Sequence, residues 1–238
     1  MTSIAEDLAP TGVLRAAINL GNPVLAQGSP DAPAGVTVDL ARELGSRLGL
    51  SVELVCFDAA RKAYEAMAGG AADLCFLAIE PAREQAVAFT APYVLIEGVY
   101  VVPADSALTE NAAVDADGVR IGVNRGSAYD LFLTRTLRHA ELVRGESGVD
   151  EFRRQGLDAA AGVRQPMAEF VAATPGYRML DGRFMEIRQA VGTTRTRAPE
   201  TVGFLREAVE ELKASGFVAQ ALERSGQGAA AVAPLSRT

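Results

Sequence analysis

The stretch Ala78-Ile79-Glu80-Pro81-Ala82-Arg83-Glu84-Gln85-Ala86-Val87-Ala88-Phe89-Thr90-Ala91-Pro92-Tyr93 decides how this chain is read. It sets one arginine, Arg83, just beyond an apolar strand-like run from Leu74 to Ile79. A hydrophobic segment then leads through Pro92-Tyr93 into a second strand-like run. An arginine at a strand end offers a rigid two-pronged donor to a carboxylate. A surface arginine on a short helix is the competing reading of the same residue.

Outward from this stretch, strand and helix signals alternate, which predicts an α/β protein with mostly parallel sheets. Val13 to Leu20 reads as the first strand, followed by the turn-rich loop Asn19-Leu20-Gly21-Asn22-Pro23. Leu40, Leu44 and Leu48 lie four apart and predict a helix over 38–48. A strand over 52–57, a helix over 59–68 stopped by Gly69-Gly70, and a strand over 72–79 follow. Beyond the strand expected at 98–102, Val119 opens a second strand-and-helix series. In it Gly126-Ser127-Ala128 starts a helix running to about His139, strands cover 141–143 and 157–163, a short helix covers 149–155, and Pro166 starts a helix to Ala173. Residues 184–192 are extended, Pro199 and Gly216 bracket the next helix, and a last amphipathic helix covers 217–224. The Gly/Ala/Pro-rich tail from Gly226 to Thr238 is expected to fray.

The 238 residues suffice for one large domain or two small ones, and 49% apolar composition supplies ample core. A net charge of −7 argues against nucleic acid. No run is long and apolar enough to insert into a membrane. The N-terminal residues Met1 to Pro10 carry neither a basic nor an apolar leader region, so the sequence as written reads as cytoplasmic. Cys56 and Cys75 each sit in a strand-like run, where buried free thiols are the default. A disulfide between them requires their strands to be neighbours. No histidine–cysteine cluster suggests a metal, no cofactor is expected, and the sole histidine, His139, is not expected to catalyse.

The order of acidic residue, apolar strand, Arg83 and then Phe89-Thr90-Ala91-Pro92-Tyr93 resembles the amino-acid-type (family 3) solute-binding proteins of ABC transporters. The resemblance covers about Val13 to Gly226. It implies the two-lobe type II periplasmic-binding-protein fold. One lobe would hold residues 1–100 and 188–238 and the other 101–187, with crossover strands near 98–102 and 186–190. It further implies a monomer, a hinge closing on a small carboxylate-bearing solute in the interlobe cleft, an ABC permease as partner, and a periplasmic home.

Five segments are candidates for such a site. Asn19 and Asn22 bring amides to the loop after the first strand, as ligand groups or as plain turn chemistry. Phe57 stacks on the ligand by resemblance, or is core; Asp58 beside it can cap the next helix. Ala78 and Arg83 would hold the ligand carboxylate. Arg125, Gly126, Ser127 and Ala128 form a glycine-led helix start, which suits an anion and is also an ordinary cap. Val163 and Arg164 end a later strand.

The last segment departs from the family. Its amino-acid binders place there an aspartate that pairs with the ligand ammonium, and this chain has Val163. An unpaired buried charge is costly, which puts an ordinary α-amino acid in doubt. Glu80 or Asp58 could take over the ammonium. Alternatively, Arg83, Arg125 and Arg164 could surround a ligand with more than one anionic group. Two other functions compete. A dehydratase acting on prephenate or arogenate would need Asp58 or Glu80 as an acid of raised pKa. A sensing or scavenging module would need a partner that the sequence does not name.

Overall fold

A computed structural model describes residues 2–236. The chain divides into two units: unit 1 is Met1–Leu95 with Arg188–Thr238, and unit 2 is Ile96–Ile187. In chain order, unit 1 begins with α1 (Ile4–Leu8), β1 (Val13–Asn19), a hairpin of β2 (Gln27–Ser29) and β3 (Ala32–Ala34), α2 (Val36–Leu48) and β4 (Ser51–Phe57). It continues through α3 (Ala60–Ala68), β5 (Leu74–Ala78) and α4 (Pro81–Glu84) into β6 (Val87–Pro103), which carries the chain into unit 2. There β7 (Arg120–Asn124), α5 (Ala128–Thr136), β8 (Glu141–Gly145), α6 (Gly148–Gln155), β9 (Ala159–Val163), α7 (Arg164–Ala173) and β10 (Tyr177–Met179) follow. The return strand β11 (Met185–Thr194) leads to α8 (Pro199–Ala214), α9 (Phe217–Arg224) and β12 (Ala231–Val232).

The two units share one strand plan. In unit 1, β1 pairs in parallel with β4 on one side and β5 on the other, and β11 adds antiparallel to β5. In unit 2, β7 pairs in parallel with β8 on one side and β9 on the other, and β6 adds antiparallel to β9. Parallel neighbours need crossover connections, and the helices between them supply these. The helices also bury the sheet faces. Leu40 and Leu44 of α2 are fully buried, as the four-residue spacing predicts. Met67 of α3 packs with Cys75, Leu77 and Phe89 in one core; in unit 2, Phe152 of α6 and Met167 of α7 pack with Val99 and Val101. A Cβ on Gly148 would sit 2.6 Å from the backbone of Val123, so glycine there lets α6 lie directly on β7.

Several elements differ from the sequence expectation. The strand expected at 98–102 is the second half of β6, which runs unbroken through Pro92. No loop therefore marks the passage between units, and the first boundary falls at 95/96 rather than 100/101. The helix α5 stops at Thr136, and His139 lies beyond it. There the Asp115 carboxylate accepts from the amides of Arg138, His139 and Ala140, a contact from a distant segment. Helix α7 starts at Arg164, two residues ahead of Pro166, which the first turn tolerates because its amides have no helical partner.

The tail does not fray over its described part. β12 pairs with Val94 and Leu95. Lys213 Nζ, almost fully buried, donates to the carbonyls of Pro234 (3.0 Å) and Pro92 (3.1 Å) and pairs with Glu210 at 2.6 Å. Residues 237 and 238, and Met1 at the other end, lie outside the described residues.

The two cysteines are free. β1 separates their strands, with Cys56 opposite Ile18 and Cys75 opposite Ala17. Adjacent residues of β1 face opposite sides, so the thiols do too. Two strand spacings, about 10 Å, exceed the roughly 7 Å limit for a disulfide.

Candidate functional site

In an open α/β sheet, ligands bind beyond the carboxyl ends of the strands, where the strand order reverses. In unit 1 the chain leaves β1 toward β4 on one side and returns to β5 on the other, so the reversal lies between β1 and β5. In unit 2 the same argument puts it between β7 and β9. The candidate residues follow the carboxyl ends of these strands. Asn19 ends β1, Phe57 ends β4 and Ala78 ends β5; Arg125 follows β7, and Val163 ends β9.

In unit 1, the loop after β1 is held by its own amides. Asn19 Oδ1 accepts from the Gly21 amide at 3.0 Å, and Asn22 Oδ1 from that of Val24 at 3.3 Å. A Cβ on Gly21 would lie 2.3 Å from the Asp58 carbonyl oxygen, so glycine lets this loop close onto the end of β4. These bonds are turn chemistry. Phe57 is half-buried against the unit 1 core. Asp58 does not cap α3, whose N-cap is Ala59; it pairs with Lys62 at 2.7 Å. The hydrogen bond from Lys62 holds its carboxyl below the ordinary range. This is opposite to what a general acid requires.

Arg83 lies on α4 and is buried, as is Glu80 at the N-cap of that helix. Arg83 Nη1 donates to the Ala78 carbonyl at 3.1 Å, so the guanidinium folds back onto the end of β5. Burial lowers its pKa to about 10, and the Glu80 charge works in the other direction. A surface arginine is thereby ruled out.

In unit 2, Gly126 has φ +69°, and Ser127 is the N-cap of α5. Ser127 Oγ accepts from the Asp130 amide at 3.1 Å, and Asp130 Oδ2 accepts from the Gly126 amide at 2.8 Å. Ala128 is the first residue of the helix and is buried. Asp130, itself buried, also pairs with Arg144 at 2.8 Å. Arg125 is exposed; its Nη2 donates to the Arg144 carbonyl at 3.4 Å.

Val163 is the N-cap residue of α7 and provides no side-chain acceptor. Arg164 is committed elsewhere than the dianion reading supposed: it pairs with Glu97, which also takes Arg183 at 2.9 Å. Burial alone would raise the Glu97 carboxyl, but the bonds from Arg164 and Arg183 hold it below its ordinary range.

Sequence reasoning missed Asp130, Glu97 and Asn124, whose Oδ1 accepts from the Gly148 amide at 2.7 Å. Only Asp130 left a signal, three residues after a serine in the spacing of a capping box. Among the described residues, no cluster of metal-ligating side chains occurs, and no helix is long and apolar enough to cross a membrane.

Solved structures with the same fold cover nearly all of this chain. The solute receptor for L-cysteine of Neisseria gonorrhoeae is 21% identical, with a TM-score of 0.78, over 94% of this chain and 93% of that one. An amino acid ABC transporter substrate-binding protein from Streptococcus pneumoniae, bound to L-arginine, is 17% identical, with a TM-score of 0.76, over 97% and 100%. The ancestral amino acid-binding protein AncCDT-1, a precursor of cyclohexadienyl dehydratase, is 19% identical, with a TM-score of 0.75, over 93% and 98%. No curated protein sequence matches the chain. The likeness to these structures is one of fold, the type II periplasmic-binding-protein fold. Residues 14–227 match the model of the bacterial extracellular solute-binding proteins, family 3, and the chain belongs to that family.

Proposed function

We propose that the protein binds a small carboxylate-bearing solute, without chemical turnover, and delivers it to an ABC permease from the periplasmic side of the membrane. One observation carries this reading: Asn19, Ala78, Arg125 and Val163 each end or follow a parallel strand that flanks the strand-order reversal of its unit, and Phe57 ends the next strand out in unit 1. The proposed contacts are Asn19, Asn22, Phe57, Asp58, Ala78 and Arg83 from unit 1, and Arg125, Gly126, Ser127, Ala128 and Val163 from unit 2. Arg125 is the exposed cation of this set that has no carboxylate partner among the described residues, and a ligand anion suits it. Arg164 acts through its pairing with Glu97, as a support for the end of β9.

The absence of turnover is supported at Asp58, whose lowered pKa and Lys62 partner make it a poor proton donor. Calorimetric titration across amino acids and organic acids tests the reading, with saturable one-to-one binding expected. Incubation with prephenate, followed by its ultraviolet absorbance, is expected to show no phenylpyruvate. A panel with no binding, or product from prephenate, would count against it.

A further inference from the structure

We infer that the ion pair of Asp130 with Arg144 is a positioning device for Arg125. It holds the loop after β7 so that the Arg125 guanidinium, rather than the amides of the loop, grips the ligand carboxylate. The inference rests on the proposed solute-binding function and deepens it.

A glycine-led helix start binds an anion through amides that have no other partner. Here the amides of Arg125, Gly126 and Ser127 are each engaged inside unit 2. The Arg125 amide donates to the Gly145 carbonyl at 2.8 Å, the Gly126 amide to Asp130 Oδ2 at 2.8 Å and the Ser127 amide to the Asn124 carbonyl at 3.1 Å. Ser127 Oγ already accepts from the Asp130 amide. The Arg125 guanidinium differs from them. It is exposed, it carries several donors, and its contact with the Arg144 carbonyl, at 3.4 Å, is a long one.

Two routes lead from Asp130 to that guanidinium. Asp130 Oδ2 fixes the amide of Gly126, the next residue after Arg125, in a turn whose φ of +69° glycine adopts freely. Asp130 Oδ1 takes Arg144 Nε at 2.8 Å, and Arg144 supplies the carbonyl on which Arg125 rests. Thr134 closes the ring: its hydroxyl donates to the Asp130 carbonyl at 2.6 Å and accepts from Arg144 Nη2 at 2.8 Å. The Asp130 side chain is almost fully buried, and Arg144 balances its charge, so it does not repel an acid held by Arg125.

The test is calorimetric titration of the full chain with the common amino acids, lactate, pyruvate, 2-oxoglutarate and succinate, in the wild type, Arg125→Gln, Asp130→Asn and the double variant. For the acid that binds, Arg125→Gln is expected to weaken affinity about tenfold or more. Asp130→Asn keeps a neutral acceptor for the Gly126 amide but releases Arg144. Charge alone would then strengthen binding of an acid, because Arg144 is left unbalanced. Loss of position weakens it instead, by roughly three- to tenfold. In the Arg125→Gln background, Asp130→Asn should no longer weaken binding. Unchanged affinity in Arg125→Gln overturns the inference and leaves the solute-binding reading standing. Tighter binding by Asp130→Asn, or the same loss in both backgrounds, overturns the positioning role. The first would show an effect of charge alone, and the second a loss that does not pass through Arg125. A panel in which no acid binds overturns both the inference and the reading beneath it.

Discussion

Asp130 accepts from the Gly126 amide at 2.8 Å while its other oxygen pairs with Arg144, also at 2.8 Å. A single buried carboxylate thus fixes the loop that follows β7 and ties it to β8. Replacing Asp130 by alanine leaves a part-buried guanidinium and a loop amide without their acceptor. We expect a loss of ~2–4 kcal/mol, below the upper range for buried pairs because Arg144 retains some access to water. Asp130→Asn keeps a neutral acceptor and should lose less. Urea unfolding of the three proteins checks the order.

Position 163 also offers a gain. Helix α7 begins without a side-chain cap, and aspartate or asparagine is favoured at an N-cap. Val163→Asp and Val163→Asn are each expected to stabilise the unliganded protein by about 0.5–2 kcal/mol. A rise in the urea midpoint measures it, and a fall would show that the valine side chain contributes more by packing than the cap returns.

The cysteines are expected to stay reduced in any buffer. Cys56 is half-buried and Cys75 fully buried, and burial pushes the Cys75 thiol up to about 12. In native protein a maleimide should label Cys56 slowly and Cys75 only after unfolding. Mass spectrometry should find no intramolecular disulfide after air oxidation.

Alkaline pH should destabilise the fold. Burial pushes the Cys75 thiol and the Tyr129 phenol up to about 12, and raises the Tyr93 and Tyr100 phenols as well. The unfolded chain releases these protons near the ordinary values of 9.0 and 10.0, whereas the folded chain keeps them. The stability tied to them is complete below pH 9.0 and is lost as pH rises toward 12. Arg83 opposes this: burial lowers it to about 10, so the folded chain gives up that proton first and gains stability above that pH. Each tenfold change in proton affinity carries ~1.4 kcal/mol, and four groups outweigh one. Chemical denaturation at stepped pH should show a falling midpoint; a flat profile to pH 12 would contradict these burials.

What was legible in the sequence was local. The leucines of α2, the glycines that stop helices and the Pro199–Gly216 bracket each act over a few residues, and the elements they mark are present. The Arg83 stretch gave the family and fold because its residue order is specific. What was not legible depends on distant partners. The end of α5 is shaped by Asp115, the tail is held by Lys213, and Arg164 is claimed by Glu97 across 67 positions. Asp58 read as a cap, because spacing alone could not show that Lys62 would take it. β6 passes through Pro92 although proline donates no ladder bond. The Pro92 carbonyl instead accepts from Lys213, in a place that only the folded chain defines.

Native mass spectrometry of the purified protein, with identification of whatever small molecule it releases, is the decisive measurement of solute binding. One carboxylic acid per chain is expected, recovered unchanged in mass and able to rebind. A released acid that the protein converts to a new product, or a protein that takes up no acid from a broad panel, would contradict it.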